Sequence, residues 1–188
     1  MIPLSGIIFC SGYRRTGKDT LYQNLCEGTS LSWRFVNPAS RRALNILANQ
    51  IATGTKILLR GAFADVLKEE IFRTYGITIT EENKDIPILT DGRTGRDICI
   101  EVAAERRRGN PTYFADRLLE KYYVDINSPN ILFITDWRYP NEFDQANLRF
   151  PTLPKITIRL YRSSIEIPTD PSEHQLDHFL FDHVLMGD

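Results

Sequence analysis

Apolar positions in this chain form short unbroken runs, separated by longer stretches with helical spacing. Ile7-Ile8-Phe9-Cys10 is such a run, closed by Ser11-Gly12, and predicts a buried strand entering a glycine turn. Helical spacing follows from Asp19 to Cys26, where Leu21 and Leu25 share a face. A short strand is expected around Trp33 to Val36, and an amphipathic helix from Ala39 to Ile51. Ile57 to Phe63 reads as a strand, and Ala64 to Tyr75 as a helix stopped by Gly76. The polar stretch 78–95 holds Pro87 and Gly92 and predicts a mobile loop. Arg96 to Arg108 is helical by the spacing of Ile98, Val102 and Glu105. Pro111 is expected to open a further helix with Phe114, Leu118 and Leu119 facing inward. Ile131 to Thr135 is the strongest strand, apolar as a central parallel strand must be. Ile156 to Tyr161 alternates like a strand, and Phe181 to Met186 supplies the last one. Strands alternating with helices predict an α/β fold with a parallel sheet and helices on both faces. Ligands of such sheets lie beyond the carboxyl ends of the strands.

Composition changes this picture little. A chain of 188 residues suits one domain over 1–188, and 42% hydrophobic with 25% charged residues suits a folded one. A net charge of -1 gives no support to a general nucleic-acid binder. No basic-then-apolar leader is visible, and no apolar run approaches the ~20 residues of a membrane span. The expectation is a soluble protein of the cytoplasm. Cys10, Cys26 and Cys99 lack C-x-x-C spacing and are expected to be reduced core thiols.

Candidate chemistry begins directly after the first apolar run. Gly12-Tyr13-Arg14-Arg15-Thr16-Gly17-Lys18-Asp19-Thr20 fits the P-loop pattern G-x-x-x-x-G-K, with Asp19 where Ser or Thr usually follows. The glycines let backbone N–H groups face inward on an anion. The following helix adds the positive end of its dipole, and the Lys18 ammonium reaches the outer phosphates. Gly12, Arg14, Arg15, Thr16, Gly17, Lys18, Asp19 and Thr20 are therefore the expected nucleotide ligands. Asp19 reads as a carboxylate for Mg²⁺, because triphosphate chemistry needs a hard cation, or as a helix cap with Thr20 supplying the hydroxyl. Asp136 closes the Ile131–Thr135 strand, either to organise magnesium or to cap a helix from Tyr139 onward. Arg138 is placed to take a phosphate, or to pair with Asp136 or Glu142.

Lys68, Arg93, Arg96 and the run Arg106 to Arg108 are candidate acceptor-phosphate ligands, although a charge run also reads as a solvated face. Arg159 and Arg162 are expected on a lid over 159–178 or on the surface. His174, His178 and His183 sit in an acidic, aromatic tail without a recognised ligand spacing, so a structural or lid role is expected ahead of a metal site.

In order along the chain stand G-Y-R-R-T-G-K-D-T (12–20), F-A-D-V-L-K (63–68), P-T-Y-F (111–114), T-D-W-R-Y-P-N-E (135–142) and D-P-S-E-H-Q-L-D-H-F-L-F-D (170–182). This set resembles the bacteriophage and large-virus deoxynucleoside monophosphate kinases. Animal-type phosphomevalonate kinase shares the GKD variant. The resemblance implies a three-layer P-loop NTPase fold of the nucleoside-monophosphate-kinase type. It also implies transfer of the ATP γ-phosphoryl group, with Mg²⁺, to a deoxynucleoside monophosphate. Carried over by position, the catalytic set is Lys18, Asp19, Asp136 and Arg138. Asp19 and Asp136 would stand near the metal, and Lys68, Arg96, Arg107 and Arg138 near the acceptor phosphate. The family continues past its last strand into a helix near the adenine, whereas this chain ends at Gly187-Asp188, so a differently built adenine pocket is expected. Expected partners are ATP and the deoxynucleotide, with a homodimer as the allowed assembly and neither nucleic acid nor membrane; for a viral chain the place is the host cytoplasm. A phosphomevalonate kinase and a non-catalytic ATP-binding module remain the alternatives.

Overall fold

The structure is a computed structural model that describes residues 1–28 and 33–187. The chain enters through β1 (Ile2–Leu4), turns at Ser5 into β2 (Gly6–Gly12) and passes through the 12–17 loop into α1 (Lys18–Glu27). Next come β3 (Arg34–Phe35), α2 (Pro38–Ala52), β4 (Ile57–Gly61) and α3 (Phe63–Tyr75). After a long loop follow α4 (Gly95–Gly109), α5 (Tyr113–Leu119), β5 (Tyr122–Val124) and β6 (Asn130–Ile134). The chain finishes with α6 (Pro140–Arg149), β7 (Lys155–Arg162) and β8 (His183–Gly187). Among the described residues the main sheet has six strands in the order β3-β8-β7-β2-β6-β4. Its pairs are parallel except for the antiparallel β3–β8 pair at one edge. No helix among the described residues is long and apolar enough to cross a membrane.

β2 and β6 are apolar on both faces because both faces are covered. Ile7, Phe9, Leu132 and Ile134 join Phe63, Phe114, Leu118, Trp137 and Ala146 in the core under α3, α5 and α6. Ile8, Cys10 and Phe133 point the other way, onto Leu21 and Leu25 of α1 and Leu44 and Leu47 of α2. This is the period-two alternation of a strand read from both sides. Burying one such side chain is worth about 1.5–3 kcal/mol, so stripping either layer would exceed the ~5–15 kcal/mol margin of a domain. A smaller cluster of Ile71, Ile79, Ile98 and Val102 fixes α4 against α3.

The structure departs from the sequence pattern at defined places. β4 stops at Gly61 rather than Phe63, because Phe63 already opens α3. α5 begins at Tyr113, two residues after Pro111, and Asp116 holds its entry by accepting from Asn110 and Thr112. β1 and β5 pair as a separate parallel ribbon; at three residues each, one with Pro3 in the middle, they are too short for periodicity to show. The 78–95 stretch has neither helix nor strand before α4 opens at Gly95, beyond a Pro87–Thr94 bridge. It is nonetheless anchored, by buried Ile79, by Ile88 and Leu89 against the α3–α4 cluster, and by Arg96 N–H bonded to the Lys84 carbonyl. The three thiols are not all core: Cys10 is buried and pushed up to about 12 by that burial, Cys99 is half-buried, and Cys26 is exposed on α1.

Candidate active site

The strand ends converge in register. Gly61 of β4 pairs with Ile134 of β6, Ile134 with Phe9 of β2, and Gly12 with Leu160 of β7. The loop after β2 therefore emerges between the ends of β6 and β7. Left-handed backbone at Arg15 (φ 67°) and Gly17 (φ 95°) turns the loop back on itself, and the Thr16 N–H and hydroxyl both bond the Tyr13 carbonyl. No side chain caps the start of α1, so its first-turn N–H groups remain available to an anion. Lys18 folds back over the loop and donates to the carbonyls of Gly12 (2.6 Å) and Tyr13 (2.9 Å). Its pKa is lowered, first by burial; the Glu173 and Asp136 carboxylates counter this and Arg138 adds to it.

Asp136, Trp137 and Arg138 form the facing wall. Trp137 is 1% exposed and anchors the wall among Phe9, Phe143, Phe179 and Phe181. Each such ring pair is worth about 0.5–1.5 kcal/mol beyond its burial, and the indole N–H is satisfied by the Tyr139 carbonyl at 2.8 Å. Its neighbours, beyond the end of β6, bond elsewhere. The Asp136 oxygens accept from the Phe63 (2.9 Å) and Ala64 (2.8 Å) amides at the start of α3. Burial raises the pKa of this carboxyl, and the two amides oppose the rise. So Asp136 caps a helix, but α3 rather than the helix beginning at Pro140. That second role falls to Glu142, which accepts from the Arg138 and Tyr139 amides and is pushed up to about 8 by burial.

Arg138 pairs with neither Asp136 nor Glu142. Its guanidinium bonds Glu173 (2.8 Å) and Ser172 (3.2 Å), both from the chain between β7 and β8. Asp19 is exposed and meets Arg60 of β4, which also bonds Asp65. Arg107 lies over the rings of Phe114 and Tyr139, 3.8 Å from Glu142, so it is no freely solvated member of its run. Arg106 bonds Glu70, Arg96 bonds Asp85, and Arg93 bonds Asp91 and Glu101. The Lys84 bond holds the Glu81 carboxyl below the usual carboxylate range, and the Lys68 and Arg14 charges add to this more weakly. Arg15 is exposed, and so is Thr20. The structure thus gathers Lys18, Asp136, Arg138 and Glu173 within one field, with Arg107 beyond Glu142.

Arg159 overturns the lid-or-surface expectation. It lies in β7 opposite Ser11 and is 1% exposed. Its guanidinium donates to Ser11 Oγ (2.9 Å) and Asp177 Oδ1 (2.7 Å) and sits 4.9 Å from the Tyr13 ring centre. Asp177 Oδ2 accepts from the Tyr13 hydroxyl (3.1 Å) and faces His174 Nδ1 (2.7 Å). The signal is present in Lys155–Arg162, where alternation puts Thr157 and Arg159 on one face of a central strand, both buried. A cation there must be paired. Arg60, Glu173 and Asp177 were missed because nothing local marks their partners.

His174 and His183 lie apart, and no group of three His, Cys, Asp or Glu side chains among the described residues could hold a metal. Both ring nitrogens of His174 face acceptors, the Pro168 carbonyl and Asp177, an arrangement that needs a proton on each. Its pKa is raised above 6.5, first by the Pro168 bond and then by Asp177, whereas burial lowers that of His183. For a raised pKa the stabilisation is full below the unfolded value and is lost as pH climbs through the folded one. In an NMR titration His174 is expected to titrate above His183. Between about pH 6 and 8, His174→Gln should lose less thermal stability than the native chain, and the reverse order would refute the contact.

The observed class is thus an α/β chain whose mostly parallel sheet carries a glycine-bounded loop at the carboxyl end of β2, with six helices among the described residues. No family model matches it, and no curated protein does. Among solved structures the chain is similar to a candidate kinase from Chloroflexus aurantiacus, at 17% identity and a TM-score of 0.35, over 84% of this chain and 59% of that one. It spans under two thirds of that protein, and a likeness at this level says nothing of activity.

Proposed function

We propose that the chain is an ATP-dependent phosphotransferase of the P-loop class that passes the γ-phosphoryl group to a deoxynucleoside monophosphate. The observation that carries this reading is the loop 12–20, with an uncapped α1 and a half-buried Lys18 folded over its carbonyls. The strand order, with β2 between β6 and β7, supports it by putting that loop where the chain switches direction across the sheet.

In this reading the loop amides and Lys18 hold the β- and γ-phosphates. Lys18 leaves the Gly12 and Tyr13 carbonyls, which occupy it in the absence of an anion. Arg138 and Arg107 take the acceptor phosphate. The attacking oxygen is already anionic, so alignment and charge neutralisation supply the catalysis and no general base is required. Asp19, released from Arg60, and the Thr20 hydroxyl would hold magnesium, whereas the Asp136 oxygens are taken by the α3 amides. Two oxygen donors do not make a closed site, which fits an ion that arrives on the nucleotide and keeps phosphate oxygens and water as its other ligands. The ion would neutralise charge developing between the β- and γ-phosphates.

A panel of deoxynucleoside and ribonucleoside monophosphates, with phosphomevalonate as a further acceptor, tests the proposal in the presence of ATP and Mg²⁺. At least one deoxynucleotide is expected to turn over at about 1–100 s⁻¹, the usual kinase range. Turnover on phosphomevalonate alone would move the acceptor, and ATP binding without turnover on any acceptor would sink the reading.

A further inference from the structure

A buried guanidinium demands a counter-charge, and among the described residues the carboxylate that reaches Arg159 is Asp177. Asp177 belongs to the 168–177 segment, whose regular structure is a single 3-10 turn at Pro171–Glu173. Such a segment has little backbone pairing to hold it, so side chains fix where it docks: Leu176 buried in the core, and beside it the Arg159–Asp177 pair and the Tyr13 bond. The same segment supplies both groups that grip the Arg138 guanidinium, Ser172 and Glu173. Glu173 is 8% exposed, whereas the Arg138 side chain keeps 39% exposure. One continuous chain of contacts therefore joins Ser11 and Tyr13, on the loop side, to Arg138 on the facing wall.

We propose that Asp177 is a positioning residue that locks the 168–177 segment as a strap, setting Arg138 at a fixed place opposite the 12–20 loop. The proposal rests on the phosphotransferase reading and adds to it a device that spaces the two phosphate-binding walls. It also explains why a cation is buried in a central strand, where an apolar residue would fit the sheet pattern. Arg159 reads the end of β2 through Ser11 and the loop through Tyr13, and Asp177 converts that position into the position of the strap.

The test is Asp177→Asn, which keeps the shape and removes the charge. In the transfer assay kcat is expected to fall about tenfold or more, with KM rising more for the acceptor than for ATP. Tyr13→Phe keeps the ring and deletes one bond to Asp177, and should give a smaller change in the same direction. It serves in place of Asp177→Asn should that variant fail to fold. Independently of turnover, modification of Arg138 by phenylglyoxal, read by peptide mass spectrometry on the resting protein, should speed several-fold once the strap is released. A folded Asp177→Asn protein with native kcat, native acceptor KM and native Arg138 reactivity would overturn the strap. If the native chain transfers phosphoryl to no acceptor, the phosphotransferase reading fails, and Arg138 reactivity still decides whether Asp177 holds the strap.

Discussion

Alanine at position 18 is expected to lower kcat by about a thousandfold or more while leaving the fold intact. The ammonium is the flexible cation that the site can aim at a transferring phosphoryl group. Arg138 is held by Ser172 and Glu173, so it cannot take the ammonium's place. Stability should change little because two effects oppose each other. Two hydrogen bonds to loop carbonyls are lost, at about 1 kcal/mol each, but a half-buried charge whose pKa is already lowered by desolvation disappears with them. The melting temperature should stay within roughly 3 °C. Turnover within about tenfold of native would remove Lys18 from the chemistry.

Alanine at position 12 is expected to act on fold and chemistry together. Gly12 has φ 154°, and an added Cβ would lie 2.6 Å from Thr16 Oγ1 and 2.8 Å from the Leu160 carbonyl. The hydroxyl could swing away. The carbonyl cannot, because Leu160 is the register partner of Gly12 in the β2–β7 ladder, and a shift would break pairing next to buried Arg159. Strain plus overpacking should cost about 2–4 kcal/mol, a melting point lower by roughly 5–12 °C, and transfer should fall even well below that temperature. A variant melting within about 2 °C of native would show that the loop can breathe at its first residue.

Much of the fold was readable because its signals are local. The apolar runs at Ile7–Cys10 and Ile131–Ile134 and the glycines of the 12–20 loop need no knowledge of distant residues. Arg138 was also readable as a candidate, by its place after a strand end. Its partners were not: Ser172 is 34 residues away, Phe63 is 73 residues from Asp136, and Ser11 is 148 residues from Arg159. Such contacts are decided by strand order, which fixes which ends meet. Asp136 shows the limit most clearly. Its type and position suggested a helix cap, but only the Gly61–Ile134 register reveals that the helix is α3. Arg60 is a parallel case: a basic residue in a five-residue strand gives no hint that it bridges Asp19 and Asp65.

The chain contains two tryptophans, one at each wall. Trp33 presses its ring carbons to 3.2 Å from where a Gly17 Cβ would stand, and Trp137 separates Asp136 from Arg138. The protein is therefore its own optical instrument. One indole looks at the 12–20 loop and the other lies in the facing wall, so replacing either with phenylalanine isolates a single emission channel. Paired stopped-flow traces of that kind would resolve which wall responds first when ATP or a deoxynucleoside monophosphate is mixed in.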